Sequence, residues 1–275
     1  MTYRQVVSIH GVPRSGTSWL GQIFDKHSDV AYKFQPLFAH RFRGKLGPYS
    51  SVEEIKVFLS ELYEVNDDDF ISGNWPKQED VDPLLNMEFY KRSQPGVMVM
   101  KEVRYHYLIE KFLDLLPDMK IIGIIRNPCA VIYSWLKNPK EFIKEWDIMT
   151  EWRHAPSKNQ GRLEEYFGYG KWKELASSFL VFEHNYPENF LLLQYEQLVS
   201  KPIETINQAF SFAGLEMEKQ VIKFVELSQS HHIDNAYAVY KSPSVKDRWR
   251  SELDPRISEE INKDIKGTAL ERFLV

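Results

Sequence analysis

The chain has 275 residues, 43% hydrophobic and 27% charged, enough to bury the core of one large domain. Its 35 basic and 39 acidic side chains leave a formal charge of −4, which excludes a global basic field for nucleic acid while allowing a local basic pocket for an anion. That balance excludes disordered, collagen-like and disulfide-scaffold classes, and no apolar run approaches the ~20 residues of a membrane span.

Residues 4–10 (RQVVSIH) read as a β-branched strand. A glycine-bearing loop, GVPRSG, follows at once, and then a helical pattern over 17–27. A helix is expected over 51–65, opened by a capping box of Ser51 and Glu54. Residues 66–95, with Asp67, Asp68, Asp69 and three prolines, suggest an irregular excursion. The next strand is 97–101 (VMVMK), followed by a helix over 106–116 that Pro117 stops. The run 120–125 (KIIGII) is apolar on both faces, as in the middle of a parallel sheet. Asn127 and Pro128 then cap and open a helix over 128–137. The segment 139–186 looks mainly helical and rich in Trp and Phe. A last buried strand, 190–194 (FLLLQ), precedes a helix over 202–213 that Gly214 ends.

Such strand–helix alternation predicts an α/β fold, a doubly wound parallel sheet flanked by helices. One domain is expected over 1–275, with helical or irregular insertions at about 40–95 and 139–186 covering a substrate site. The N-terminal stretch reads without a signal peptide, and the single cysteine, Cys129, cannot form an internal disulfide. A soluble cytoplasmic protein is the expectation, and Cys129 reads as small buried packing.

The loop GVPRSGTS separates Gly11 and Gly16 as a P-loop does, between a strand and a helix. The N–H groups of Ser15, Gly16, Thr17 and Ser18 would line one concavity, with the positive end of the helix behind them. Thr17 stands where a nucleotide triphosphatase places its lysine, and the cation comes earlier, as Arg14. That substitution weakens a kinase reading. Downstream, Arg126 ends the buried strand 120–125, where open parallel sheets bind ligands, and Ser134 lies two helical turns later. A guanidinium fork and a hydroxyl suit a phosphate.

Together the two motifs resemble the sulfotransferases that use 3′-phosphoadenylyl sulfate (PAPS). Their first loop, P-[KR]-S-G-T-[ST]-W, is matched by Pro13, Arg14, Ser15, Gly16, Thr17, Ser18 and Trp19, and their R-x₇-S by Arg126 and Ser134. The resemblance implies a P-loop-like fold, with the first loop on the 5′-phosphosulfate and the second motif on the 3′-phosphate. It further implies Trp19 stacked on adenine and Tyr195, in QYEQL, near it. Lys241, Lys246 and Arg248 match a late basic segment that closes over the nucleotide. Arginine at 14 after a proline is more similar to the carbohydrate and tyrosyl-protein members than to the small-phenol members.

The implied reaction is in-line transfer of a sulfuryl group from PAPS to an acceptor hydroxyl, possibly of a carbohydrate. It leaves adenosine 3′,5′-bisphosphate (PAP) and implies neither a metal nor a nucleic-acid partner. Arg14 is the cation expected at the bridging oxygen, with Lys101 assisting the sulfuryl oxygens. The small-molecule members' histidine falls at Val103, and the tyrosyl-protein members' glutamate at Gln35. Glu102 is therefore the first candidate for the base, followed by His40 and His106. Arg41, Arg43, Arg153 and Lys158 stand among aromatics in stretches that suit an anionic or sugar acceptor, or an ordinary amphipathic surface. A small-molecule kinase and a nucleotide-binding module without turnover remain the alternatives.

Overall fold

The computed structural model describes residues 3–73, 89–230 and 247–274. Five strands, β1 (Gln5–His10), β2 (Val30–Phe34), β3 (Val97–Glu102), β4 (Lys120–Ile125) and β5 (Phe190–Gln194), form one sheet. All neighbours pair in parallel, and from edge to edge the order is β2, β3, β1, β4, β5. The chain fills first one side of β1, with β2 at the edge and β3 between, and then the other. That reversal opens a crevice at the carboxyl ends of β1 and β4, the place where such sheets bind ligands.

The helices are α1 (Thr17–Asp25), α2 (Val52–Glu64), α3 (Ile109–Leu115), α4 (Pro128–Leu136), α5 (Ile148–His154) and α6 (Pro156–Asn159). Then follow α7 (Tyr169–Asn185), α8 (Tyr195–Ser200), α9 (Pro202–Phe212), α10 (Lys219–Ser230), α11 (Trp249–Glu252) and α12 (Pro255–Ile265). Strand alternation divides the apolar side chains between two faces. Met98, Met100, Ile121 and Ile125 pack with Phe112, Trp135, Trp172, Phe179 and Ile257. Val7, Ile9, Val97, Val99, Ile122 and Ile124 pack instead with Leu20, Phe24, Ile206, Phe210 and Phe224. Each such fully buried side chain contributes roughly 1.5–3 kcal/mol of transfer free energy, so two covered faces hold the sheet rigid beneath the crevice.

Four of the five strands stand where the sequence places them, as do the Ser51–Glu54 capping box and the Asn127 cap. The helix expected over 106–116 is broken: Tyr105 adopts φ 59°, and a 3-10 turn over His106–Leu108 precedes α3. The segment 139–186 holds three helices separated by turns. β2 was not expected; its inward Lys33 interrupts the apolar alternation, and the ammonium donates to the carbonyl of Val65. Most of the irregular excursion at 66–95 lies outside the described residues. Among the described residues no helix is long and apolar enough to cross a membrane.

Candidate active site

The loop between β1 and α1 is shaped by its glycines. Gly16 adopts φ +95°, and a Cβ there would stand 2.4 Å from the Tyr195 ring. A Cβ on Gly11 would stand 2.6 Å from the carbonyl oxygen of Ile124. The loop therefore lies tight against β4 and α8. Gly16 opens α1 without a side-chain cap, which leaves the first-turn N–H groups of Thr17 and Ser18 for a ligand. The Ser15 hydroxyl is buried and has no hydrogen-bond partner among the described residues. An orphaned hydroxyl and uncapped amides at a helix start fit an anion's oxygens.

Arg14, at φ 75°, turns its side chain toward α4. Its Nε donates to Ser134 Oγ at 3.0 Å, while its own carbonyl accepts from Arg126 Nη1 at 3.1 Å. The two motifs, 112 residues apart, thus meet at the crevice. The Arg126 guanidinium lies over the Tyr195 ring at 4.6 Å, and its carbonyl accepts from the Trp172 indole N–H at 2.9 Å. Asn127 caps α4 and gives its own N–H to Glu196. A serine hydroxyl offers two acceptor sites and one donor, so Ser134 can hold Arg14 and still donate to a phosphate.

Beyond this cradle, β2, β3 and the insertion at 139–186 bring together a second set of polar groups. Lys101 is buried over the Phe34 ring at 4.4 Å, and burial pushes its ammonium down to about 7. Arg104 pairs with Glu165 at 3.0 Å, donates to Gln35 Oε1 at 3.2 Å and lies over the Phe38 ring at 4.2 Å. The Asn159 amide bonds the carbonyls of His154 and Phe167, at 3.0 and 2.9 Å, and so fixes the fold of the insertion. Lys158, on α6, lies near Glu141, Glu165 and Arg104, and burial lowers its pKa. Glu141, in the turn after α4, places Oε2 3.9 Å from Arg14 Nη1.

The expected bases fare differently. His106 is buried in a pair with His10, Nδ1 to Nδ1 at 3.0 Å, and packs edge-on to Tyr166 at 4.5 Å. Burial holds its pKa well below the usual histidine range, with the neighbouring His10 adding to the shift. His40 is exposed on a turn. Glu102 is completely buried and spends Oε1 on the Leu37 N–H at 3.0 Å. Glu102 and His106 thus lie buried, Glu102 with its Oε2 unpartnered among the described residues, while His40 lies exposed. The sequence could not have shown these placements, because each depends on which side of a strand end or turn the residue faces.

Burial raises the Glu102 carboxyl to about 8, so the folded chain keeps a proton that the unfolded chain releases near 4.5. The fold therefore loses stability as pH rises from about 4.5 through about 8. Glu102→Gln should match the parent's melting temperature near pH 5 and exceed it at pH 8. Parallel melting curves for the two proteins across that range would refute this placement of the carboxyl.

Trp19 is buried, its indole N–H donating to Ser228 Oγ at 3.1 Å. Arg248 is exposed just ahead of α11, close enough to Tyr133 for its charge to act on that phenol. Lys241 and Lys246 lie outside the described residues. Of the acceptor-side cations, Lys158 joins the polar set, while Arg153 pairs with Glu260 at 2.8 Å and Arg41 with Asp67 at 3.2 Å. Arg43 lies over the Phe38 ring at 5.3 Å. Cys129 is buried as expected, its thiol pushed up to about 12 by desolvation. Glu141, Arg104 and Glu165 carry no sequence motif, and only the fold brings them to the crevice.

A parallel sheet with a glycine loop, an uncapped helix and two arginines at its switch point defines a protein that grips a phosphorylated nucleotide. The sulfotransferase domain family matches residues 4–273, and the chain belongs to it, the PAPS-dependent sulfotransferases that its two motifs resemble. Carbohydrate sulfotransferase 3 of Tetronarce californica is 21% identical over 318 residues, covering 94% of this chain and 70% of that protein. Carbohydrate sulfotransferase 5 of Mus musculus is 23% identical over 257 residues, covering 76% of this chain and 63% of that protein. Among solved structures, mouse sulfotransferase SULT7A1 complexed with PAP is similar in fold, with a TM-score of 0.55 at 13% identity, over 98% of this chain and 88% of that chain.

Proposed function

We propose that this chain transfers a sulfuryl group from PAPS to the hydroxyl of a carbohydrate acceptor. The observation that carries the reading is the meeting of Arg14, Ser134 and Arg126 at the switch point of the sheet. Two cationic groups on one loop pair suit a nucleotide with anions at both its 5′ and 3′ positions. PAPS supplies an activated sulfuryl group on a phosphate leaving group. The loop N–H groups and the Ser15 hydroxyl hold the 5′-phosphosulfate, while Arg126 and the Ser134 O–H hold the 3′-phosphate. Arg14 neutralises charge on the bridging oxygen as the bond to sulfur lengthens. Tyr195 against Gly16 and Arg126, and Trp19 behind the loop, bound the nucleotide's side of the crevice.

The named carbohydrate relatives support a sugar acceptor, while Arg14 after Pro13 supports a carbohydrate or tyrosyl-protein acceptor over a small phenol. The polar set around Arg104, with Phe38 and Phe167 beside it, offers both charge and ring faces. The lone, buried Cys129 supports a reducing, cytoplasmic compartment.

Calorimetric titration tests the donor. PAP is expected to bind tightly without metal and ATP with magnesium only weakly. Tight binding of magnesium ATP alone would replace the reading by a kinase. Binding of PAP without PAP release from PAPS, in water or with any hydroxyl acceptor, would favour a module without turnover.

A further inference from the structure

We propose that Glu141 takes the proton from the acceptor hydroxyl, an inference that rests on the sulfotransfer reading above. Glu141 is firmly set: its N–H donates to the Asn138 carbonyl at 3.0 Å, and its carbonyl accepts from the Trp135 indole at 3.4 Å. The next residue, Phe142, packs edge-on against Trp135 at 5.4 Å. The turn after α4 is thus anchored in the core, and the carboxylate projects toward the end of the Arg14 side chain.

The carboxylate has an unmet need. Oε2 is shielded from solvent and accepts no hydrogen bond among the described residues. A buried carboxylate oxygen without a donor is destabilising and calls for an explanation. Arg14 does not supply it, since 3.9 Å is too long for a direct hydrogen bond. The gap suits a hydroxyl: an acceptor O–H entering between them donates to Glu141 while its oxygen faces the sulfuryl group held by Arg14. The side chain as a whole is 18% exposed while Oε2 is shielded, in contrast to the fully buried Glu102. Three cations face it from three elements: Arg14 on the loop after β1, Lys101 on β3 and Lys158 on α6.

The step is balanced as follows. The acceptor oxygen forms a bond to sulfur while the bond from sulfur to the bridging phosphate oxygen breaks. That electron pair leaves on the phosphate of PAP, and the hydroxyl proton passes to the Glu141 carboxylate and then to water. Gln35 and Val103 occupy the positions where the family's glutamate and histidine are expected, so the chain needs its base from another element.

The test measures PAP affinity by calorimetry and PAP release from PAPS, with water alone and with hydroxyl acceptors of falling pKa. Glu141→Gln should keep the PAP dissociation constant within about threefold and lower turnover by about 10²-fold or more. Its defect should also shrink for acceptors that ionise readily. A carboxylate that merely positioned Arg14 would give a defect independent of acceptor pKa, and that result overturns the inference. Turnover within about threefold of the parent, or loss of turnover in Glu102→Gln but not in Glu141→Gln, also overturns it while leaving the donor reading intact. Absence of PAP binding to the parent protein would overturn the donor reading itself, and the inference with it.

Discussion

Arg14→Ala is expected to lower turnover by roughly 10²–10³-fold while PAP still binds. The side chain is a permanent cation on the phosphate loop, since an arginine stays protonated at every pH of interest. Lys101, by contrast, is brought to about 7 by burial and carries only part of a charge at neutrality. On the proposed reading, Arg14 then supplies the charge that grows in value as the leaving oxygen becomes anionic. Affinity for the product should survive because the backbone survives: the Arg14 carbonyl still accepts from Arg126, and the loop N–H groups are unchanged. Both residues carry a Cβ, so the φ of 75° is no harder for alanine to hold than for arginine. Arg14→Lys restores a charge but not the Nε bond to Ser134, and should recover only part of the rate. Steady-state PAP release, set beside calorimetry with PAP, reads both quantities. Unchanged turnover in Arg14→Ala would remove the residue from the reaction.

The parts of this fold that could be read in the sequence are those fixed by local chemistry. β4 is apolar on both faces because helices cover both, and its end is marked by Asn127 and Pro128, which cap and open α4. The phosphate loop is legible because it needs glycine twice, at Gly16 for a left-handed backbone and at Gly11 for closeness to β4. β2 was illegible because a buried lysine, satisfied only by the distant Val65 carbonyl, breaks the pattern on which a strand is recognised. α12 was not expected, although the Asp254 cap, Pro255 in the first turn and Ile257, Ile261 and Ile265 on one face carry its signal.

The donor half of the site follows the same rule, and the acceptor half does not. Arg126 and Ser134 stand at a fixed spacing on one strand–helix unit, so their convergence is built into local geometry. The base is a question of which carboxylate or imidazole a long insertion turns inward. Tyr105, in a left-handed conformation, opens the turn that buries His106 against His10 at the end of β1. Alternation along β3 sends Lys101 and Glu102 to opposite faces, one over Phe34 and the other onto Leu37. Nothing in the order of residues near 141 announces a neighbour at position 14.

Arg126→Ala is expected to weaken PAP by roughly 10–100-fold, the equivalent of losing one charge-assisted contact of about 1.5–3 kcal/mol. Adenosine 5′-phosphosulfate, which lacks the 3′-phosphate, should lose far less. The comparison is needed because, besides the contact proposed with the 3′-phosphate, Arg126 supports the first loop. Its side chain bonds the Arg14 carbonyl at 3.1 Å, so its removal also loosens the first loop, and a loosened loop would penalise both ligands alike. Its carbonyl, which holds the Trp172 indole, is untouched by the substitution. The difference between the two ligands therefore isolates the part of the loss that belongs to the 3′-phosphate. Arg126→Lys sharpens the test, because it keeps a positive charge over Tyr195 but loses the planar fork; it should fall between parent and alanine for PAP. Raising the salt concentration should narrow the gap between parent and variant, since the contact is ionic and lies at a partly open crevice. Equal losses for the two ligands would mean that Arg126 only buttresses the loop. The grip on the 3′ position would then have to come from another element of the fold.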